Sequence, residues 1–305
     1  MKAPRGKILV IRGGAIGDFI LTLPAIAALR NQFPEAHLEV LGYPHIVQLA
    51  LAGGMVDRAQ SIEARALAGF FARQGILEPG LMDYFASFNL IVSYLFDPDE
   101  IFQTNVRRCS QAQFIAGPHR PVEAEKVHAT KVYLKPLERL AIFDADPLPR
   151  LSVNSPRSPL DFLAVHPGSG SEKKNWPEPN WAELLPRLIE AKRLNLLLVG
   201  GEAEGERLQR LAALLPPSRI QVAQSRPLAE LAGRLQQCTA FIGHDSGISH
   251  LAAALGLPGV VLWGDTNEEI WRPPHQTVSI LKHPHGLDQI RVEQVILELE
   301  RLSGT

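Results

Sequence analysis

KILVIRGGAIGDFILTLPAIAALRNQF, residues 7–33, reads as a short apolar strand, a glycine turn and a helix. The run Lys7 to Ile11 is apolar without alternation, the pattern of a strand buried on both faces of a parallel sheet. Gly13, Gly14 and Gly17 let the chain turn sharply. The helical stretch Gly17 to Phe33 is kinked or entered late at Pro24 and ends before Pro34. A strand, a glycine turn and a helix also make up a dinucleotide site, but that fingerprint needs glycine where Arg12 stands. Asp18, in the first helical turn, would repel a pyrophosphate placed there. Two readings of Asp18 stay open from the turn alone: an acid favoured by the helix dipole, or a carboxylate brought beside a substrate.

Outward from this unit the pattern repeats. Strands are expected at Leu38 to Leu41, Leu90 to Tyr94, Phe162 to His166, Leu194 to Val199, Ala240 to Ile242 and Gly259 to Leu262, with helices such as Trp181 to Lys192 and Glu204 to Leu215 between. Periodicity collapses near Asp146 to Pro159, where Pro147, Pro149, Pro156 and Pro159 fall. The expected fold is therefore α/β, two Rossmann-like domains with parallel sheets, residues 1–155 and 156–305, facing a central cleft. A final amphipathic helix, Asp288 to Leu302, is expected to pack back on the first domain.

Composition narrows the function. The chain of 305 residues has 31 Lys plus Arg against 32 Asp plus Glu, a net charge of −1, so nothing in the balance recruits nucleic acid. Cys109 and Cys238 are too few for a disulfide framework and suit a reducing compartment. Met1 to Gly6 leads straight into a strand rather than an apolar leader, and no apolar run approaches roughly 18 residues. A cytoplasmic protein is the expectation.

Two further loops carry candidate chemistry. HPGSGSEKKNWP, residues 166–177, follows the first strand of the second domain, and its small residues and lysines suit phosphate oxygens. GHDSGISH, residues 243–250, passes from a strand into an apolar helix whose free N–H groups form an anion site. Gly-His-Asp-Ser-Gly misses the spacing of a nucleophile elbow, so a serine hydrolase is disfavoured. His244, His250, His275, His283 and His285 have no metal-ligand spacing and read as surface or capping residues. Asp97-Pro98-Asp99 resembles the D-x-D of some metal-dependent nucleotide-sugar enzymes but is a thin magnesium site and reads as a turn.

Together the three loops resemble glycosyltransferase family 9, the ADP-heptose:lipopolysaccharide heptosyltransferases. The matching stretches, about half of the chain, are residues 8–34, 162–181 (FLAVHPGSGSEKKNWPEPNW), 196–204 (LLLVGGEAE) and 228–263. The resemblance implies a GT-B architecture, donor held mainly by the second domain and acceptor by the first, with no metal or other cofactor. It implies an inverting transfer of heptose from ADP-heptose to a lipid-anchored core sugar, with peripheral contact at the inner face of the inner membrane. By position, Asp18 is the expected general base, with Gly14 and Ala15 beside it on the acceptor side. Lys174 and Ser169 are expected on the donor phosphates, and Glu204, or the nearby Glu202, on the ribose. Asp245, Ser246, Gly247 and His250 continue the donor site.

Departures leave the acceptor open. Gly264-Asp265-Thr266-Asn267 stands where relatives read G-x-T-D-P. Tyr94 to Thr104 carries Asp97, Asp99 and Glu100 in place of a lysine-bearing stretch. Arg58, Arg65, Arg73, Arg107, Arg108 and Arg120 are candidates to gather at the cleft mouth and meet acceptor anions, Arg107 and Arg108 above all. Other readings are a glycosyltransferase of the same fold with another nucleotide sugar or acceptor, a non-catalytic nucleotide-sugar-binding protein, and an NAD-dependent oxidoreductase, the last weakened by Arg12 and Asp18.

Overall fold

A computed structural model describes residues 6–154, 161–192 and 194–303. The chain divides into two compact units, Met1–Pro147 and Leu148–Thr305. The expected boundary at 155/156, with Pro156 and Pro159, lies outside the described residues. The second unit begins earlier because Leu151 N–H bonds the Ala254 carbonyl and Val153 exchanges backbone bonds with the Gln236 carboxamide.

In the first domain the elements run β1 (Lys7–Arg12), α1 (Ile16–Ile20), α2 (Leu23–Gln32), β2 (His37–Gly42), α3 (Pro44–Ala52), β3 (Arg58–Ser61), α4 (Pro79–Ala86), β4 (Leu90–Ser93), α5 (Ile101–Arg107), β5 (Gln113–Ala116) and α6 (Ala129–Leu134). The strands form one parallel sheet in the order β3-β2-β1-β4-β5. The stretch expected as one kinked helix is two. Pro24 offers no N–H to continue the ladder, and the buried Thr22 hydroxyl donates to the Asp18 carbonyl at 2.8 Å where the helix breaks.

The second domain runs β6 (Phe162–Val165), α7 (Glu178–Lys192), β7 (Asn195–Gly200), α8 (Gly205–Ala213), β8 (Ile220–Gln224), α9 (Leu228–Leu235), β9 (Ala240–His244), α10 (Gly247–Ala254), β10 (Gly259–Trp263), α11 (Glu268–Trp271), β11 (Val278–Lys282) and α12 (Val292–Ser303). Its parallel sheet has the order β11-β10-β9-β6-β7-β8. Strand order reverses between β1 and β4 in one sheet and between β6 and β9 in the other. At such switch points the loops leaving neighbouring strands diverge and open a crevice at the strands' C-terminal ends.

The apolar face of α12 belongs to the second domain's own core, where Val292, Val295 and Leu299 join Leu184, Leu188, Val260 and Leu262. Outside this seam Arg187 pairs with Glu293 at 2.8 Å. Burial on the nearest sheet satisfies this apolar stripe. Among the described residues no helix is long and apolar enough to cross a membrane.

All four tryptophans, Trp176, Trp181, Trp263 and Trp271, lie in the second domain and all four tyrosines in the first, so selectively excited tryptophan fluorescence reports the unfolding of the second domain alone. Val295→Ala is expected to lower that domain's unfolding free energy in urea by about 2 kcal/mol, the cost of a small cavity in a closed core. An unchanged midpoint would show that α12 does not belong to this core.

Candidate functional site

In the first domain the site begins with a charge that the fold buries. Arg12, at the end of β1, is 3% exposed. Its guanidinium donates to the Tyr94 carbonyl at 3.3 Å and the His119 carbonyl at 2.9 Å, and lies 4.6 Å over the Tyr133 ring. Burial pushes the pKa values of the Tyr94 and Tyr133 phenols up, so both stay neutral beside it. Its other terminal nitrogen, Nη2, faces Asp18, 3.4 Å from Oδ1 and 3.4 Å from the backbone oxygen, while Nε is buried without a partner among the described residues.

Asp18 thus has one oxygen toward Arg12 while Oδ2 accepts from the Ala15 N–H at 3.0 Å, the N-terminal capping contact of α1. Its side chain remains 29% exposed. Gly14 permits this contact. Its φ is +97°, and a Cβ there would fall 2.8 Å from Asp18 Oδ2. Asp18 thus caps the helix and leaves a fixed, partly exposed carboxylate at the switch point.

The second domain is organised by His244, which is fully buried at the end of β9. Nδ1 donates to the Gly168 carbonyl at 3.0 Å and Nε2 accepts from the Trp176 N–H at 2.8 Å, so the ring pins both ends of the loop after β6. Burial pushes its pKa down to about 3, and the ring acts as a neutral donor and acceptor. His166 behaves alike: burial lowers its pKa, and Nδ1 donates to the Val199 carbonyl at 2.9 Å. His244 and His250 are buried, not surface residues, which corrects that expectation.

Lys174 and Asp245, from separate loops, meet at 2.6 Å. Asp245 is nearly buried, while Lys174 keeps 42% of its side chain exposed. Ser246 caps α10 by accepting from the Ser249 N–H, with Gly247 opening the helix. The Ser169 hydroxyl lies 2.8 Å from both the Ser171 carbonyl and Asn175 Oδ1, shaping the loop. Glu204 is buried, with Gly201 N–H at 2.9 Å and Gly170 N–H at 3.2 Å on its two oxygens. A Cβ on Gly168 would fall 2.1 Å from Glu204 Cγ, so only glycine lets the loop pass over this side chain. Glu202 is exposed.

The structure therefore gathers Lys174, Asp245, Ser246 and Gly247 at one switch point and Gly14, Ala15 and Asp18 at the other. It does not gather the arginines. Arg107 and Arg108 end α5, which runs back against β4, so they lie at the strands' N-terminal edge, opposite the turn that holds Asp18. Arg108 is tied down by the Gly75 carbonyl and Asn105 Oδ1, both at 2.9 Å. Arg58 starts β3 on that same edge, Arg73 pairs with Asp99, and Arg120 faces Glu123. Asp97 is a turn residue, as expected, its carboxylate accepting from the Phe102 and Gln103 N–H groups. Among the described residues no three His, Cys, Asp or Glu side chains are placed to hold a metal ion. Sequence reasoning missed Arg12 and His244 as organisers. The signal was available in Arg12 alone, a charge ending an otherwise apolar strand. Arg207 was missed too; it holds the loop after β6 through the Pro167 carbonyl and Glu172.

A family model described as glycosyltransferase family 9 (heptosyltransferase) matches residues 131–296. Lipopolysaccharide heptosyltransferase 1 of Pseudomonas aeruginosa is 37% identical over 43% of the chain, a stretch that spans only 33% of that relative's length. In structure the chain is similar to the E. coli ADP-heptose lipopolysaccharide heptosyltransferase II, with a TM-score of 0.79, 19% identity, 97% of this chain and 98% of the other. The E. coli heptosyltransferase WaaC solved with ADP gives a TM-score of 0.77 at 18% identity, over 97% of this chain and 99% of the other. These likenesses establish the GT-B type of fold for the two parallel-sheet domains.

The buried His244 sets an expectation for acid stability. The unfolded chain takes up its proton near pH 6.5 and the folded chain only near pH 3, so falling pH across that window favours unfolding. His244→Gln is expected to lower the urea midpoint at neutral pH and to flatten its decline between those values, followed by tryptophan fluorescence. An equally steep decline in the variant would assign the acid sensitivity elsewhere.

Proposed function

The chain belongs to glycosyltransferase family 9, the heptosyltransferases, and from that membership we propose that it transfers heptose from ADP-heptose to a sugar of the lipopolysaccharide inner core, with inversion at the anomeric carbon. The observation that carries the reaction is Asp18: a partly exposed carboxylate fixed by the Ala15 N–H and backed by a buried guanidinium. As the acceptor hydroxyl attacks, Asp18 takes its proton, which asks for a contact of about 3 Å. The fixed geometry lowers the reorganisation needed at that moment.

The second domain supplies the donor contacts. Lys174 meets the diphosphate as a point charge, and the N–H groups opening α10 at Ser246 and Gly247 add partial positive charge, together stabilising the leaving ADP as the glycosidic bond stretches. Asp245 holds Lys174 until the phosphates compete for it, and His250 lies one turn farther along the same helix. The ribose contact falls to the Glu202 and Glu204 pair, with Glu204 also fixing the Gly168 to Gly170 turn. Heptosyltransferase WaaC, similar in fold, was solved with ADP and with a fluorinated ADP-heptose, which supports this choice of donor. The reaction as proposed uses no metal or other cofactor. The protein is proposed to work in the cytoplasm, in peripheral contact with the membrane that carries its acceptor.

Transfer from ADP-heptose to a defined core oligosaccharide tests the reading. Asp18→Asn is expected to lower kcat by about 10² to 10⁴ with ADP affinity unchanged within a few fold, because the base acts on the acceptor alone. Lys174→Ala, in contrast, is expected to weaken ADP binding and kcat together. Near-normal turnover by Asp18→Asn would remove the general-base assignment. Activity is expected to survive EDTA, and loss with EDTA followed by recovery with magnesium would overturn the metal-free mechanism.

A further inference from the structure

The first domain holds a recess that this chemistry does not use. It lies beyond the C-terminal ends of β4 and β5 and encloses about 270 Å³. That is just below the roughly 300 Å³ at which small-molecule pockets begin, room for one sugar ring rather than a nucleotide. On one wall Phe96 is 70% exposed, with its ring tilted against the His119 ring at 4.6 Å between centroids, so an apolar surface stands open to solvent. On another, Gln103 is 7% exposed. Its backbone N–H is held by Asp97, the residue lines the recess, and among the described residues its carboxamide makes no hydrogen bond to the protein. Its amide atoms are therefore open to solvent, and a ligand can reach both a donor and an acceptor there.

Charge narrows the ligand. No lysine or arginine lines the recess, whereas Asp97 and Glu100 do. A phosphate or carboxylate would meet like charge without a counterion. A neutral polyol fits: a carboxamide both donates to and accepts from hydroxyls, and the C–H face of a pyranose packs on an aromatic ring. The recess also adjoins the catalytic turn, since the His119 backbone carbonyl accepts from the same guanidinium that backs Asp18.

We infer that this recess is a subsite for a neutral, hydroxyl-rich sugar ring of the acceptor, seated on Phe96 and read by Gln103. The inference rests on the proposed transfer reaction only in assigning that ring to the acceptor; the chemistry of the site stands on its own residues. Such a subsite turns away a phosphorylated or acidic sugar at this position and accepts its uncharged counterpart.

Ligand-observed NMR titration of the full chain tests this, with methyl glycosides of neutral hexoses and heptoses set against their phosphate monoesters. The neutral glycosides are expected to bind and the phosphate esters to bind more weakly. Phe96→Ala and Gln103→Leu are each expected to weaken the neutral ligands by about three- to tenfold, the loss of one modest contact, while ADP affinity stays unchanged. Phe96 is an exposed ring, so its removal leaves the core intact. Phosphate esters binding as tightly as neutral sugars, no neutral glycoside binding, or unchanged affinity in Phe96→Ala would each overturn the subsite. Absence of neutral-glycoside binding while ADP-heptose is still bound and used would strike the subsite alone; failure to bind or use ADP-heptose would strike the transfer reaction alone.

Discussion

A neutral imidazole holds the second domain's chemistry together. His244 closes a circuit from the end of β9 to Gly168 and Trp176, and the groups assigned to the donor phosphates lie on the two loops that this circuit joins. The loop after β6 has few apolar side chains with which to anchor itself, so its position must come from backbone hydrogen bonds. A lysine or arginine in the same place would donate but could not accept from Trp176. Imidazole alone among the side chains offers a rigid donor and acceptor on opposite sides of one ring. Burial keeps it uncharged, which is the state in which both bonds form.

The first domain meets the same need by opposite means. Its turn is held by a charge, Arg12, desolvated at the end of β1 and compensated by two carbonyls, an aromatic face and Asp18. A buried guanidinium is expensive unless its donors are occupied, so the carbonyls that meet its terminal nitrogens are drawn into fixed positions around it, Nε alone being left unpaired among the described residues. The carboxylate that needs to be aimed is thereby aimed by electrostatics, and the loop that needs to be shaped is shaped by hydrogen bonds. Glycines serve both: Gly14 allows Asp18 to approach the Ala15 N–H, and Gly168 allows the backbone to cross Glu204.

How much of this was legible depends on burial. The expected strands correspond to β1, β2, β4, β6, β7, β9 and β10, which are the interior strands of both sheets, where apolar runs are unbroken. The four left unread, β3, β5, β8 and β11, are the four sheet edges. Their sequences RAQS, QFIA, IQVAQ and VSILK are short or polar, as edges must be to avoid pairing with other chains, and this erases the hydrophobic signal. The loops carrying Asp18, Lys174 and Asp245 were legible because glycine, charge and hydroxyl residues cluster after interior strands. His244 was not, since a histidine's burial is invisible in its neighbours along the chain. Arg107 and Arg108 were misplaced for a geometric reason: closeness in composition says nothing about which edge of a sheet a helix ends on.

The Lys174 to Asp245 contact bears on discrimination among anions. A cell interior holds many phosphates, and an unopposed lysine at a helix start would take any of them. Here the cation already has a carboxylate at 2.6 Å, so a simple anion gains little by exchanging one partner for another. Only a ligand that brings further contacts, such as a base, a ribose and a sugar, tips that exchange. On the proposed assignment of Lys174 to the donor phosphates, the pair would act as a threshold that sets occupancy by the whole ligand rather than by its charge.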